Sequence, residues 1–182
     1  MTGAPRAVEH PVAQAFRAAF RAHPAGVAII TARAAHGPVG VTASSVASVS
    51  VRPPAVSFSL AAAASATPAV VGAGSVLVHL LDADDAPLAR RFAGPAADRF
   101  GPGTPWRSAD GGEPHLHEVG TALRCCPHRV VEVGDSLLVA AFVTAVLGPG
   151  HRGLPLVYAE RGYHPVATAG GAQLASSRSL AS

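Results

Sequence analysis

The chain has 182 residues, 49% of them apolar and only 14% charged, enough to bury one full hydrophobic core and too apolar for a disordered chain. Its net charge is +3, and its fourteen basic residues, all arginine, are scattered apart from Arg90-Arg91; the clustered basic face that nucleic-acid binding needs is absent. No charged-then-apolar leader is visible, the apolar runs are too short to span a bilayer, and the two cysteines are adjacent, Cys125-Cys126, a poor geometry for bridging each other. A cytoplasmic location without membrane or nucleic-acid partners is expected.

The first ten residues lack periodicity and read as a flexible arm before a single domain over residues 11–167. Val12, Phe16, Ala19 and Phe20 fall at helical spacing behind Pro11 and predict a short helix that ends before Pro24-Ala25-Gly26. Val27 to Thr31 reads as a buried strand, Ala34 to Pro38 as a hairpin-like turn and Val39 to Thr42 as the returning strand. Val46 to Val51 and Ala55 to Leu60 read as two more strands, separated by Arg52-Pro53-Pro54. Thr67-Pro68 opens a short helix to about Gly72, and Val76 to Leu81 is an apolar strand. Asp82 caps a helix through Asp84, Leu88, Arg91 and Phe92, its acidic residues at the positive end.

Gly94 to Gly112 is rich in Pro, Gly and Asp, an irregular loop anchored by Phe100 and Trp106. Strands over Val119 to Cys126, Val130 to Val133, Leu137 to Leu147 and Leu156 to Tyr158 complete the domain. The Ala/Gly/Ser-rich residues 168–182 read as a disordered tail. Many strands, few helices and closely spaced turns predict a mainly β fold, an antiparallel barrel carrying small helices.

The chemistry concentrates in GVTASSVASVSVRPP, Gly40 to Pro54. A glycine leading into Thr42, Ser44 and Ser45 offers hydroxyls and backbone N–H groups to an anion or an electron-rich ring edge, although Ser/Thr-rich turns commonly bind nothing. His79, alone in an apolar strand, reads as a satisfied structural histidine. Asp82, Asp84 and Asp85 read as a helix start, not as a catalytic carboxylate set. Glu113, His115, His117, Glu118, Cys125, Cys126 and His128 are ligand types at no recognised zinc spacing, so no metal site is assigned. Buried, inert thiols are expected for both cysteines.

In this order and at these spacings, four segments resemble the flavin reductase-like family of split-barrel proteins. They are FRAAFRAHPAGVAIITA from Phe16, PVGVTASSVASVSVRPPAVSFSL from Pro38, VLVHLLDADDAPLARRFAG from Val76 with DRF following, and GLPLVYAERGYHPV from Gly153. The resemblance covers about Phe16 to Pro165. It implies an antiparallel split β-barrel, and a homodimer with flavin (FMN or FAD) bound near the subunit interface. It also implies NADH- or NADPH-dependent flavin reduction that serves a separate monooxygenase. Carried over by position, Thr42, Ala43, Ser44 and Ser45 would line the isoalloxazine and ribityl chain. Ser59, Leu60, Ala61 and Ser65 would lie near the ribityl phosphate, with Phe92 beside the flavin. Asp135, Ser136 and Tyr163 would face the nicotinamide.

Two departures bear on that transfer. Relatives carry Arg or Lys in the loop where this chain has Ala61 to Ala64, which leaves Arg90 or Arg91 to neutralise a flavin phosphate. The family's Gly-Asp-His run is Gly134-Asp135-Ser136 here, and serine supplies neither a ring to pack nor a titratable group. A flavin binder with lost or altered reductase activity, or a binder of another planar cofactor such as haem or a deazaflavin, are the competing expectations.

Overall fold

The computed structural model describes residues 11–166; the expected arm and tail lie outside the described residues. In chain order come α1 (Pro11–Ala22), β1 (Ala25–Gly26), β2 (Ala28–Ala34), β3 (Gly37–Ala43), β4 (Ala47–Val51), β5 (Pro54–Ala61), α2 (Thr67–Gly72) and β6 (Val76–Leu80). A 3₁₀ turn, Ala83–Asp85, leads into α3 (Ala86–Ala93), followed by α4 (Ala96–Arg99), β7 (Arg107–Ser108) and β8 (Pro114–His115). The long strands β9 (Thr121–Val133) and β10 (Ser136–Leu147) precede β11 (Leu156–Ala159) and β12 (Gly162–Pro165).

Seven strands form one antiparallel sheet in the order β3-β2-β6-β9-β10-β5-β4, beside a three-stranded β1-β11-β12 sheet and the small β7-β8 pair. The two edge strands of the large sheet, β3 and β4, are consecutive in the chain, so the short connection 44–46 must bridge them and the sheet curls on itself. Ile30, Phe58, Val70, Val78, Cys125 and Val139 pack inside that curl. Ile29, Leu81, Phe92, Leu116 and Leu156 form a second core. Ile29 and Ile30 point to opposite faces of β2 and are both fully buried. This is why the strand reads as a continuous apolar run and not as an alternation.

The mainly β expectation agrees with the fold, and the predicted strands are there. One boundary is corrected: Pro127 does not split the late strand. β9 runs through it, because Pro127 lies opposite Ala141 while Arg129 lies opposite Ala140. His128 is thus the extra residue of a bulge that absorbs a residue without an N–H. The loop from Gly94 is also less irregular than expected, holding α4 and the β7-β8 pair. Its expected anchors are in place, Trp106 edge-on to Phe100 and Phe100 edge-on to the buried Phe92, with ring centroids 5.4 and 5.1 Å apart.

A polar network pins the segment before β9 to the sheet. His79, fully buried, donates from Nδ1 to the Ile29 carbonyl (3.1 Å) and accepts the Leu116 N–H at Nε2 (3.0 Å). Burial drives its pKa down to about 3, so the ring is neutral. Thr31 Oγ1 donates to the Pro114 carbonyl at 2.6 Å. Glu113, 2% exposed, accepts from Arg124 Nε (2.9 Å) and from the Ser75 hydroxyl. Desolvation pushes its carboxyl up, but the Ser75, backbone and Arg124 contacts outweigh it and hold the group below its ordinary range.

Candidate functional site

The β3–β4 junction is built by the glycine and hydroxyls that distinguish it in the sequence. A Cβ on Gly40 would lie 2.7 Å from the Phe92 ring, so only glycine lets α3 pack this closely on β3. Thr42 Oγ1 donates to the Ala89 carbonyl of α3 at 2.7 Å. Ser45 Oγ accepts the Ser59 N–H (2.9 Å) and donates to the Ser59 carbonyl (3.0 Å), clamping the junction to β5. Two of the three hydroxyls therefore shape the turn. The Ser44 hydroxyl and the backbone N–H groups of Ser44, Ser45 and Val46 make no hydrogen bond among the described residues.

Three adjoining cavities open over those free donors. The largest, about 570 Å³, is lined by Phe20, His23, Ser44, Ser45, Ser59 and Tyr158, among others. A smaller one of about 180 Å³ lies between Thr42, Ser44, Ala93, Tyr158 and Tyr163. The third, about 440 Å³, continues past Tyr158 and Tyr163 to Arg90 and Arg161. Shared walls at Ser44, Tyr158, Tyr163 and Ala93 make them one cleft, with aromatic sides, free N–H donors at its middle and cations at one end. A planar ligand with an electron-rich edge and an anionic arm fits that lining.

The structure brings Thr42, Ser44, Ser45, Ser59 and Tyr163 together on this cleft. Ala43 and Leu60 are buried in the core beneath it. Phe92 is fully buried, its ring filling the space over Gly40. Ser65 lines a separate cavity of about 270 Å³ with His36, Gly40 and Arg99. Arg91 turns away, donating from Nη1 to Thr104 Oγ1 at 2.8 Å. Ala61 pairs with Ser136 at the base of the β9–β10 turn, where Ser136 Oγ donates to Asp135 Oδ1 (3.1 Å). Neither Asp135 nor Ser136 lines the three cavities.

Of the two arginines that the sequence leaves open for a phosphate, Arg90 is the one at the cleft, its guanidinium 5.5 Å above the Tyr163 ring. Ala89 and Phe92 face the core, which leaves Arg90 and Arg91 on opposite flanks of α3, Arg90 on the side of the cleft. Phe20 and Arg161 also line it without having been singled out by motif. Burial first, then Tyr158, raises the Tyr163 pKa against the opposing pull of Arg90.

Cys125 and Cys126 are free thiols, Cys125 buried as expected and Cys126 only half-buried; burial pushes Cys125 up to about 12, leaving it protonated. Among the described residues no three His, Cys, Asp or Glu side chains group to hold a metal, and no helix is long and apolar enough to cross a membrane.

Comparison with known proteins places the chain as a whole. Residues 20–167 match the family described as flavin reductase like domain. The chain is 41% identical over 152 residues to an NADH:FMN oxidoreductase of Rhodococcus qingshengii, covering 82% of this chain and 79% of that protein. It superposes with a TM-score of 0.80 and 33% identity on the crystal structure of a flavin reductase domain protein from Arthrobacter sp. FB24, covering 86% of this chain and 96% of the other. Nitrilotriacetate monooxygenase component B from Mycobacterium thermoresistibile gives 0.78 at 27% identity, over 86% of this chain and 87% of that one. The curled antiparallel sheet fits the split-barrel-like fold of these neighbours, and the chain belongs to the flavin reductase-like domain family.

Proposed function

We propose that the protein is an oxidoreductase that reduces FMN or FAD with NADH or NADPH in the cleft over the β3–β4 junction. The observation that carries this reading is the row of unpaired N–H donors at Ser44, Ser45 and Val46, set between Tyr158, Tyr163 and Phe20. Donors fixed in advance against the electron-rich edge of a flavin stabilise the negative charge that accumulates there on reduction. With both substrates bound, the chemistry is hydride transfer from the dihydronicotinamide to the flavin. The chain's part is to stack the two rings, hold them in register and exclude water. The relatives' printed names, an NADH:FMN oxidoreductase and a monooxygenase component, support delivery of the reduced flavin to a separate monooxygenase.

The cleft is open on one side, and the surface beside it supports a homodimer. Ser59 lies opposite Leu138 on the outer face of the β5–β10 pair. From Leu138 that face continues to Phe142, both exposed. On the other flank, α1 leaves Phe16 and Phe20 each 59% exposed. A twelve-residue helix this little buried among the described residues is marginal in water by itself, so a second copy laid on this face both covers α1 and walls the cleft.

Ser136 favours a second reading, a flavin binder with altered reductase activity, because its hydroxyl is engaged by Asp135 at a turn outside the cleft. Titration of FMN against the protein, read by flavin fluorescence quenching, tests the binding site. The wild type should quench at micromolar flavin, and Ser44→Trp, which fills the middle of the cleft, should weaken binding at least about tenfold, roughly the worth of one anchored aromatic contact. Equal binding by the two proteins would remove the cleft from the account.

A further inference from the structure

Arg90 and Arg161 share the far end of the cleft with Tyr163. Arg90 comes from α3 and lies over the Tyr163 ring. Arg161 comes from the two-residue β11–β12 turn, in which Glu160 and Arg161 both hold positive φ, 48° and 63°. Turns of this shape favour Asn-Gly, and non-glycine residues pay for it in strain. The turn is held by the Glu160 N–H bonding to the Arg21 carbonyl at the end of α1 at 2.8 Å. Among the described residues neither guanidinium has a carboxylate partner; the ion pairs are Arg124–Glu113 and His151–Asp82. Two like charges are thus gathered in one concavity, one of them at a position where glycine would be more stable.

We propose that Arg90 and Arg161 form a phosphate subsite that receives the phosphoryl arm of a nucleotide substrate. A guanidinium offers paired N–H donors that match phosphate oxygens, and a phosphate between the two relieves their repulsion. The subsite lies at the opposite end of the cleft from Ser59 and so is distinct from the cation position that Ala61 to Ala64 leave empty. It rests on the flavin reductase reading only for the choice of nucleotide, either the flavin's phosphate or the diphosphate of the nicotinamide dinucleotide.

The test compares wild type, Arg161→Gly and the double variant Arg90→Ala/Arg161→Gly. Inorganic pyrophosphate is titrated by calorimetry, FMN and riboflavin by fluorescence quenching, and the KM for NADH is measured alongside. The double variant should lose pyrophosphate affinity at least about tenfold, the loss expected for charge-assisted hydrogen bonds. Weaker FMN binding with riboflavin unmoved assigns the subsite to the flavin phosphate; a raised NADH KM with FMN unmoved assigns it to the dinucleotide. Arg161→Gly alone should melt higher than wild type while binding phosphate less well, a combination that a merely structural arginine would not give. Unchanged pyrophosphate, FMN and NADH responses in the double variant would overturn the subsite. If pyrophosphate binds through these arginines while the wild type reduces no flavin, the subsite stands and the reductase reading falls.

Discussion

His79 illustrates how a single residue is decided by its two ring nitrogens. One donates to Ile29 on β2 and the other accepts from Leu116, so the ring couples the sheet to the segment that precedes β9. Its pKa falls from 6.5 to about 3 in the fold, which means that the unfolded chain binds the extra proton first. Stability therefore rises with pH between those values and is lost on acidification, at up to about 1.4 kcal/mol per pH unit from this group. His115, lowered by burial and then by Arg107, His117 and Arg124, adds in the same direction. Glu113, held low, loses its contribution only at more acid pH, as it is protonated below its ordinary range. His79→Gln keeps a donor and an acceptor but cannot titrate; thermal melts from pH 7 to pH 5 should show a shallower fall in Tm than the wild type. Parallel curves would show that His79 is not the proton-linked group. Ser136 poses the complementary question. On the second reading Ser136→His should raise kcat for NADH oxidation about threefold or more in a steady-state assay, by supplying the ring this position lacks, and an unchanged kcat would free this position of any limiting role.

At the scale of elements, the junction motif was legible because its residues do different jobs that only those types can do. Gly40 admits Phe92, Thr42 and Ser45 lock the turn to α3 and β5, and Ser44 is left free. The break expected at Pro127 was not legible. Proline opposes pairing locally, but the bulge at His128 restores register, and a bulge depends on the partner strand β10, which local patterning does not reveal. The orientation of Arg90 against Arg91 likewise depends on which face of α3 the core takes. Helix α1 was read correctly from its period, yet its apolar face does not meet this chain's own core: Phe16 and Phe20 stack on one another at 4.6 Å and remain exposed. Phe16→Ser/Phe20→Ser should shift the protein from dimer to monomer in sedimentation at micromolar concentration, with flavin affinity falling alongside. A monomeric wild type, or a variant that stays dimeric, would detach α1 from the assembly.

Across the whole molecule, the order of segments carried more than any one of them. The opening helix and buried strand, the Ser/Thr junction before PPAVSFSL, the LARRFAG helix and the closing hairpin pack on one curled sheet, and the surface cleft draws its lining from all four. Phe92 and Leu60 belong to those segments as core residues under the cleft, while Arg90 and Arg161 reach its open end. Family membership says what class of chemistry the fold supports; the unpaired N–H donors say where in this chain it would occur. The most direct measurement is oxidation of NADH and of NADPH, followed by absorbance, with no flavin, with FMN and with FAD. The purified protein should oxidise a nicotinamide nucleotide only when flavin is added, and reduced flavin should accumulate under anaerobic conditions. No turnover with either nucleotide and either flavin would contradict the reductase reading.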